Sequence, residues 1–411
     1  MPASPLRTVV FVAPFPADTT LRFCAAVGGL ANVRLIGVCQ KPPPNPGALG
    51  FQHIELVNDA LDVDQLTDAV RRIQGVVGPI HRLVAVLEDL QVQLGHVRER
   101  LGIEGPNVRT ASCFRDKALM KDVLRSAGLP CARHKMLHSE QDLWDFVEQV
   151  GFPVVVKPPA GAGCRSTWRV SDPQTLVEAL RDTRPSPARP VLAEEFLTGA
   201  EHSLETLVVN GIPRLWSVTR YYPSPLEVTE KDWIQWCVVA PRERDIPLFE
   251  RARDLSFAAI KAFGLRDGLT HMEWFHRPDG SLAIGEIAAR PPGARIVQLT
   301  GIAHGCDLHV AWARAVVDGA FDGPFPRQRA AGVAFLRGQG KGRVSKIEGL
   351  DEAQRKMGAL VVDRKLPEVG QPRASGYEGE GWVVVSHDRT EVVRQALFEL
   401  ITTVKVSYSG A

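Results

Sequence analysis

Residues 270–295 read THMEWFHRPDGSLAIGEIAARPPGAR, and the fold turns on how this stretch is paired. His271–Phe275 and Leu282–Ile287 are rich in apolar and aromatic side chains and predict two β-strands, with Pro278-Asp279-Gly280 supplying turn chemistry between them. If Asp279 and Gly280 form a two-residue loop, Pro278 faces Ser281, and counting outward sets Glu273 opposite Glu286. A three-residue loop offsets the two by one. In the first register two carboxylates face each other, which is unfavourable unless a positive charge lies between them. A hard divalent cation such as Mg²⁺ meets that need, because it takes carboxylate oxygens together with phosphate oxygens of a substrate. Arg290 follows four residues after Glu286, and Pro291-Pro292-Gly293 prevents a helix from running through it. An arginine leaving a strand end beside a cation suits an anionic ligand, since its fork matches carboxylate and phosphate oxygens. The alternative is a surface hairpin with a solvated charged rim.

The 411-residue chain is too long for one small core, and its length predicts two to four domains. With 49 basic and 47 acidic side chains its net charge is +2, which provides no field for sequence-independent nucleic-acid binding. No stretch approaches the roughly eighteen apolar residues that span a bilayer, and no signal segment precedes the first strand. The seven cysteines are odd in number, scattered and never in a C-x-x-C pair, a pattern that fits reduced thiols in a cytoplasm.

From the N-terminus, strands are expected at 7–15, 33–39, 54–57 and 82–87, separated by helical or loop segments. This alternation predicts a parallel sheet covered by helices. No G-x-G-x-x-G follows the first strand, so no dinucleotide site is read there. Glu88 lies just past the fourth strand, where open α/β sheets present ligand-contacting groups. It is equally readable as an acid placed at a helix N-terminus. Residues 102–107 are turn-rich and mark the first boundary. A helix is expected over 112–128 with Asp116-Lys117 early in it, and a second over 139–150. A short strand then ends in Lys157-Pro158-Pro159. The loop Gly161-Ala162-Gly163-Cys164-Arg165-Ser166-Thr167 either lets backbone N–H groups approach phosphate or is a simple hairpin turn. Its order of residues is not that of a Walker loop. Residues 191–201, VLAEEFLTGAE, read as strand, turn and strand. Residues 213–240 concentrate Trp216, Tyr221, Tyr222, Trp233 and Trp236, which serve either as local core or as a pocket wall.

Taken together and in order, these motifs resemble the ATP-grasp superfamily. They are Asp116-Lys117 at a helix start, Val155-Val156-Lys157-Pro158, the small-residue loop from Gly161 to Ser166, the hinge Glu194–Glu201, Glu273, and Glu286-Ile287-Ala288-Ala289-Arg290-Pro291-Pro292-Gly293. The C-terminal stretch, AGVAFLRGQGKGRVSKIEGL at 331–350 with a β-rich tail through Val385 and a last helix near 391–401, is similar to that of L-amino-acid ligases of the bacilysin-synthetase type. The resemblance implies an α/β and α+β multidomain fold: a Rossmann-like domain at 1–106, an ATP-grasp domain at 107–328 with a lid at about 130–195, and a β-rich ligase-type domain at 329–411.

The resemblance also implies roles. Lys117 and Lys157 contact ATP phosphates, with Gly163 and Ser166 in the loop over them. Glu194, Phe196 and Leu197 form the adenine hinge, and Glu201 takes the ribose hydroxyls. Glu273 and Glu286 hold Mg²⁺, for which Mn²⁺ can substitute. Arg290, with Arg295 as a second candidate, stabilises the reacting phosphoryl or acyl group, and Glu88 and His271 are assigned to substrate contact. Ala288 departs from the superfamily pattern, where many members carry an asparagine as a further metal ligand. The implied activity is an ATP-dependent carboxylate–amine ligase joining a small acid, an amino acid foremost, to an amine through an acyl phosphate. A bicarbonate- or formate-activating relative and a nucleotide-binding module without turnover are the competing readings. Neither nucleic acid nor membrane is an expected partner; a homodimer in the cytoplasm is expected.

Overall fold

The computed structural model describes residues 6–159, 167–231, 234–243, 246–374, 376 and 378–410. Among them lie four sheets. The first holds β1 (Arg7–Val12), β2 (Val33–Cys39), β3 (Phe51–Leu56) and β4 (Arg82–Val84), all parallel in the order β3-β2-β1-β4. The near-continuous apolar run of β1 follows from burial on both faces, as a helix-covered parallel strand requires. After β3 the chain crosses to the far side of β1, so a crevice opens at the carboxyl ends of β1 and β4. Glu88 sits there, in a short 3₁₀ turn directly after β4.

The second sheet is antiparallel, β5 (His134–Leu137), β8 (Val191–Glu195), β6 (Val154–Lys157) and β7 (Trp168–Val170) in that order. Helices 140–150 and 173–183 cover it through Leu143, Phe146, Leu176 and Leu180. Each is opened by a reciprocal capping box, at Ser139 and at Asp172, which satisfies backbone donors that the first turn leaves orphaned.

The third sheet has eight antiparallel strands. Its members are β9 (Ala200–Val209), β10 (Ile212–Tyr222), β11 (Trp236–Ala240), β12 (Gly268–His276), β13 (Leu282–Ala288), β14 (Ala330–Leu336), β16 (Val361–Lys365) and β17 (Gly381–His387), in the order β13-β12-β9-β10-β11-β14-β17-β16. Strands on both sides of residue 329 thus share one ladder. The fourth sheet pairs β15 (Lys341–Glu348) with β18 (Lys405–Gly410). Val9 and Phe11 of the first sheet share a core with Trp312 and with Leu207 and Leu269 of the third, which docks the N-terminal crevice against the large sheet. Of the aromatics in 213–240, Tyr221 and Trp236 stack in a buried column with Phe335, at centroid separations of 6.0 and 5.1 Å, and so belong to the core. Trp233 lies outside the described residues. Among the described residues no helix is long and apolar enough to cross a membrane, and the described cysteines are free thiols.

Two local expectations are revised. The helix expected over 112–128 is two helices, 108–113 and 117–126, because the Asp116 side chain accepts from the N–H groups of Ala118 and Leu119 and caps a new start. The β12–β13 turn is a three-residue loop, since Arg277 N–H bonds Ser281 O at 2.9 Å and Gly280 takes φ +80°. The pairing runs His276 with Leu282, Phe275 with Ala283 and Trp274 with Ile284. It then shifts by one residue, so that Glu273 meets Glu286 after all.

Candidate active site

The β-bulge at Gly285 builds the centre of the site. A Cβ at this position would lie 3.0 Å from the Phe275 ring and 3.3 Å from the Glu273 carbonyl oxygen. The Gly285 carbonyl accepts from Lys121 Nζ at 3.2 Å. Glu273 and Glu286 both keep partly open side chains, 36% and 24% exposed. Lys117, the first residue of helix 117–126, reaches Glu286 Oε1 at 2.7 Å. One turn later in that helix, Lys121 is fully buried and sits 2.8 Å from Glu194 Oε1. Lys157, at the end of β6, approaches the other oxygen of Glu194 at 2.7 Å.

Burial works to raise the Glu194 carboxyl, but Lys157 and Lys121 outweigh it and bring its pKa down to about 2. For Lys157, burial is overcome by Glu194 and Glu286, and its pKa rises. Burial prevails at Lys121 and lowers it, with Lys157 adding to the effect. Two lysines sharing one carboxylate form a group with net positive charge, which suits an anionic ligand.

On the opposite flank carboxylates crowd. Burial, and then Glu273, push the pKa of Glu201 up to about 8. Glu273 itself stays low because His271, Arg290 and Lys117 outweigh its burial. Among the described residues no three His, Cys, Asp or Glu side chains converge into a ready-made metal cage. The donor set therefore fits a hard cation held by two carboxylates that completes its shell with phosphate oxygens.

Arg290 donates through Nε to Glu88 Oε2 at 2.9 Å, while Glu88 Oε1 receives Arg115 Nη1 at 2.7 Å. Burial opposes the charge of Arg290, but Glu88 outweighs it and keeps the guanidinium charged. Glu88 thus meets an arginine at the strand-end crevice. Phe196 lies under the Arg169 guanidinium at 4.4 Å, and its N–H is directed at Pro153 O, 3.4 Å away. Leu197 packs with Ala132 and Ala283.

Arg295 sits elsewhere. It adopts a left-handed backbone conformation, φ +61°, and its guanidinium stacks 3.6 Å above Trp382, with Arg22, Glu378, Asp363 and Asp18 as its strongest charged neighbours. His271 is turned into the sheet, with Nδ1 2.9 Å from Glu205 Oε1. Gly163 and Ser166 lie outside the described residues. A cavity of about 300 Å³ lined by Arg82, Arg98, Asn107, Phe114, Pro291 and Trp312 includes none of the lysines or glutamates above. Converging charge, rather than cavity size, locates the site.

Sequence reasoning missed Lys121, Arg115 and Glu205. Lys121 carried a readable signal, being four residues after Lys117 and so on the same helical face. Glu205 alternates with Ser203 and Glu201 along β9, but its partners lie on other strands.

A parallel sheet docked on a large antiparallel one, with a small covering sheet and facing glutamates beside buried lysines, has the architecture of an ATP-grasp fold. Residues 122–301 match the family model described as the ATP-grasp domain. The chain is similar to the L-arginine-specific L-amino acid ligase of Bacillus subtilis, 26% identical over 253 residues, covering 60% of each chain. In structure it is similar to an L-amino acid ligase from Bacillus licheniformis, with a TM-score of 0.81, 20% identity and coverage of 99% and 100% of the two chains. It also resembles the N5-carboxyaminoimidazole ribonucleotide synthetase of Thermotoga maritima, with a TM-score of 0.71, 19% identity and coverage of 98% and 99%. These two structural likenesses concern the fold. The chain spans about three fifths of the length of the first curated relatives it matches.

Proposed function

We propose that this chain is an ATP-dependent carboxylate–amine ligase, joining a small carboxylic acid, an amino acid foremost, to an amine and releasing ADP and phosphate. The observation that carries the reading is the placement of Glu273 opposite Glu286, with Lys117 on one of them and the Lys121–Glu194–Lys157 group beside it. The curated L-amino acid ligase relative supports the substrate class.

Lys117 and Lys157 bind the phosphates. Glu194, Phe196 and Leu197 line the adenine, and Glu201 receives the ribose. Glu273 and Glu286 would hold Mg²⁺, or Mn²⁺ in its place, which when bound neutralises phosphoryl charge and orients the terminal phosphate. A carboxylate oxygen of the acid attacks the γ-phosphorus in line, ADP leaves, and an acyl phosphate results. The amine nitrogen, as the free base, then attacks the acyl carbon. Inorganic phosphate departs with the bonding electrons, and the nitrogen gives up a proton. Arg290, held by Glu88, stabilises the oxyanion formed in this second attack. Residues 130–195 act as a lid that keeps water from the acyl phosphate. We assign the parts as 1–106, 107–328 and 329–411, and the setting as a cytoplasmic homodimer.

The test is ADP release with pooled amino acids, repeated with bicarbonate alone. Amino-acid-dependent release that Glu273→Gln abolishes in a folded protein supports the ligase. Release driven by bicarbonate alone would move the assignment to the carboxylating branch.

A further inference from the structure

Glu205 is fully buried, and the roles assigned above leave it without a task. Alternation along β9 puts Ser203 and Glu205 on one face of the sheet. The ladder sets His271 directly opposite Glu205, Glu273 opposite Ser203 on β12, and Thr219 opposite Ser203 on β10. Glu205 accepts from Ser203 Oγ at 2.8 Å, Thr219 Oγ1 at 3.0 Å and His271 Nδ1 at 2.9 Å. The second nitrogen of the same ring, Nε2, lies 3.7 Å from Glu273 Oε1. One imidazole therefore stands between a carboxylate sealed inside the sheet and a carboxylate that faces the cleft.

A buried carboxylate is costly unless its oxygens are met by donors, and meeting them fixes each donor in turn. Two hydroxyls orient Glu205, Glu205 orients the His271 ring, and the ring presents Nε2 to Glu273. Changing groups behind a metal ligand that fix its direction in this way typically costs about 10- to 100-fold in metal affinity or activity. Building on the ligase reading, we infer that Glu205 and His271 are positioning residues, which hold Glu273 across from Glu286 in the geometry a divalent cation requires. His271 accordingly serves the cation site from behind, rather than touching the substrate.

The experiment is Mn²⁺ binding to the full chain in the presence of ADP, followed by electron paramagnetic resonance, with metal-free ADP binding and circular dichroism measured in parallel. Glu205→Gln and His271→Gln are expected to weaken Mn²⁺ binding by about 10- to 100-fold while metal-free ADP binding holds. Thr219→Val removes a single hydroxyl from Glu205, and is expected to shift Mn²⁺ affinity in the same direction by less. It keeps the test open if either larger change prevents folding. Thr206→Val, which breaks a buried hydrogen bond to Ser256 on the other face of β9, is expected to lower Tm and leave Mn²⁺ affinity alone. Folded variants that bind Mn²⁺ like the wild type, while Glu273→Gln does not, overturn this inference and leave the ligase reading standing. Wild-type Mn²⁺ binding by Glu273→Gln overturns the cation assignment, and this inference with it.

Discussion

Glu273 and Glu286 stand opposite each other across β12 and β13, although the turn joining those strands is one residue too long to put them there. The extra residue at Gly285 restores the register, and that position has no room for a Cβ without displacement of Phe275. A strand that slips by one residue turns its side chains to the other face, so the bulge decides whether Glu286 faces the cleft. Gly285→Ala is expected to cost about 1–3 kcal/mol from overpacking. It is also expected to lower turnover, because the contact that must give lies on Phe275 and on the backbone of Glu273. Thermal unfolding and ADP release measure the two separately, and a stable, fully active variant would show that the bulge is incidental.

Glu194 joins Lys121 to Lys157, so its removal leaves the fully buried Lys121 and the partly buried Lys157 without their shared counter-charge. Glu194→Gln is expected to destabilise the protein by about 3–5 kcal/mol, the usual cost of breaking a buried pair from one side. The pKa of Glu194 is held at about 2 against an ordinary value of 4.5. A depressed carboxyl contributes stability above the unfolded-state value and loses it as pH falls through the folded-state one. Wild-type stability should therefore drop between about pH 4.5 and pH 2 by a component that Glu194→Gln lacks. Urea unfolding at several pH values compares the slopes; identical slopes count against this assignment.

Lys157 ends β6 with its ammonium 2.7 Å from Glu194, and the proposed function puts the nucleotide phosphates against it. Lys157→Met removes a charge-assisted contact, expected to be worth about 1.5–3 kcal/mol, or roughly 10- to 150-fold in ATP affinity. Nucleotide titration reads this directly, and undiminished affinity would place the phosphates elsewhere.

Arg290 and Glu88 form an ion pair across the crevice between the N-terminal sheet and the large one. Arg290→Lys keeps the charge but not the fork. It is expected to reduce kcat by about 10²–10³ while ATP binding stays intact, because the interaction is needed when charge develops in the reacting group. Glu88→Gln should produce a smaller loss in the same direction. Equal losses in ATP affinity would instead assign Arg290 to nucleotide binding.

Much of the candidate site was legible in order along the chain. Asp116-Lys117, Lys157 after a β-branched run, the Glu194–Glu201 stretch, Glu273 and the Glu286–Arg290 spacing are each short, local patterns, and local patterns survive in one dimension. Turn composition likewise placed a hairpin at Pro278–Gly280, since Gly280 takes the positive φ that such a turn needs. The loop at 161–166 was read from its small residues and lies outside the described residues.

The sequence by itself determined which residue types stood at which spacing, and hence the strands and the hairpin. Only the tertiary structure decided their company. Lys121 became the partner of Glu194 because helix 117–126 packs against β5, the neighbour of β8 in the second sheet; Glu205 acquired His271 because β12 lies next to β9; and Arg295 went to Trp382 through a left-handed turn. Each of these depends on cross-strand register or on packing between segments distant along the chain. A shift of one residue at Gly285 sets the central register, and composition alone does not reveal it.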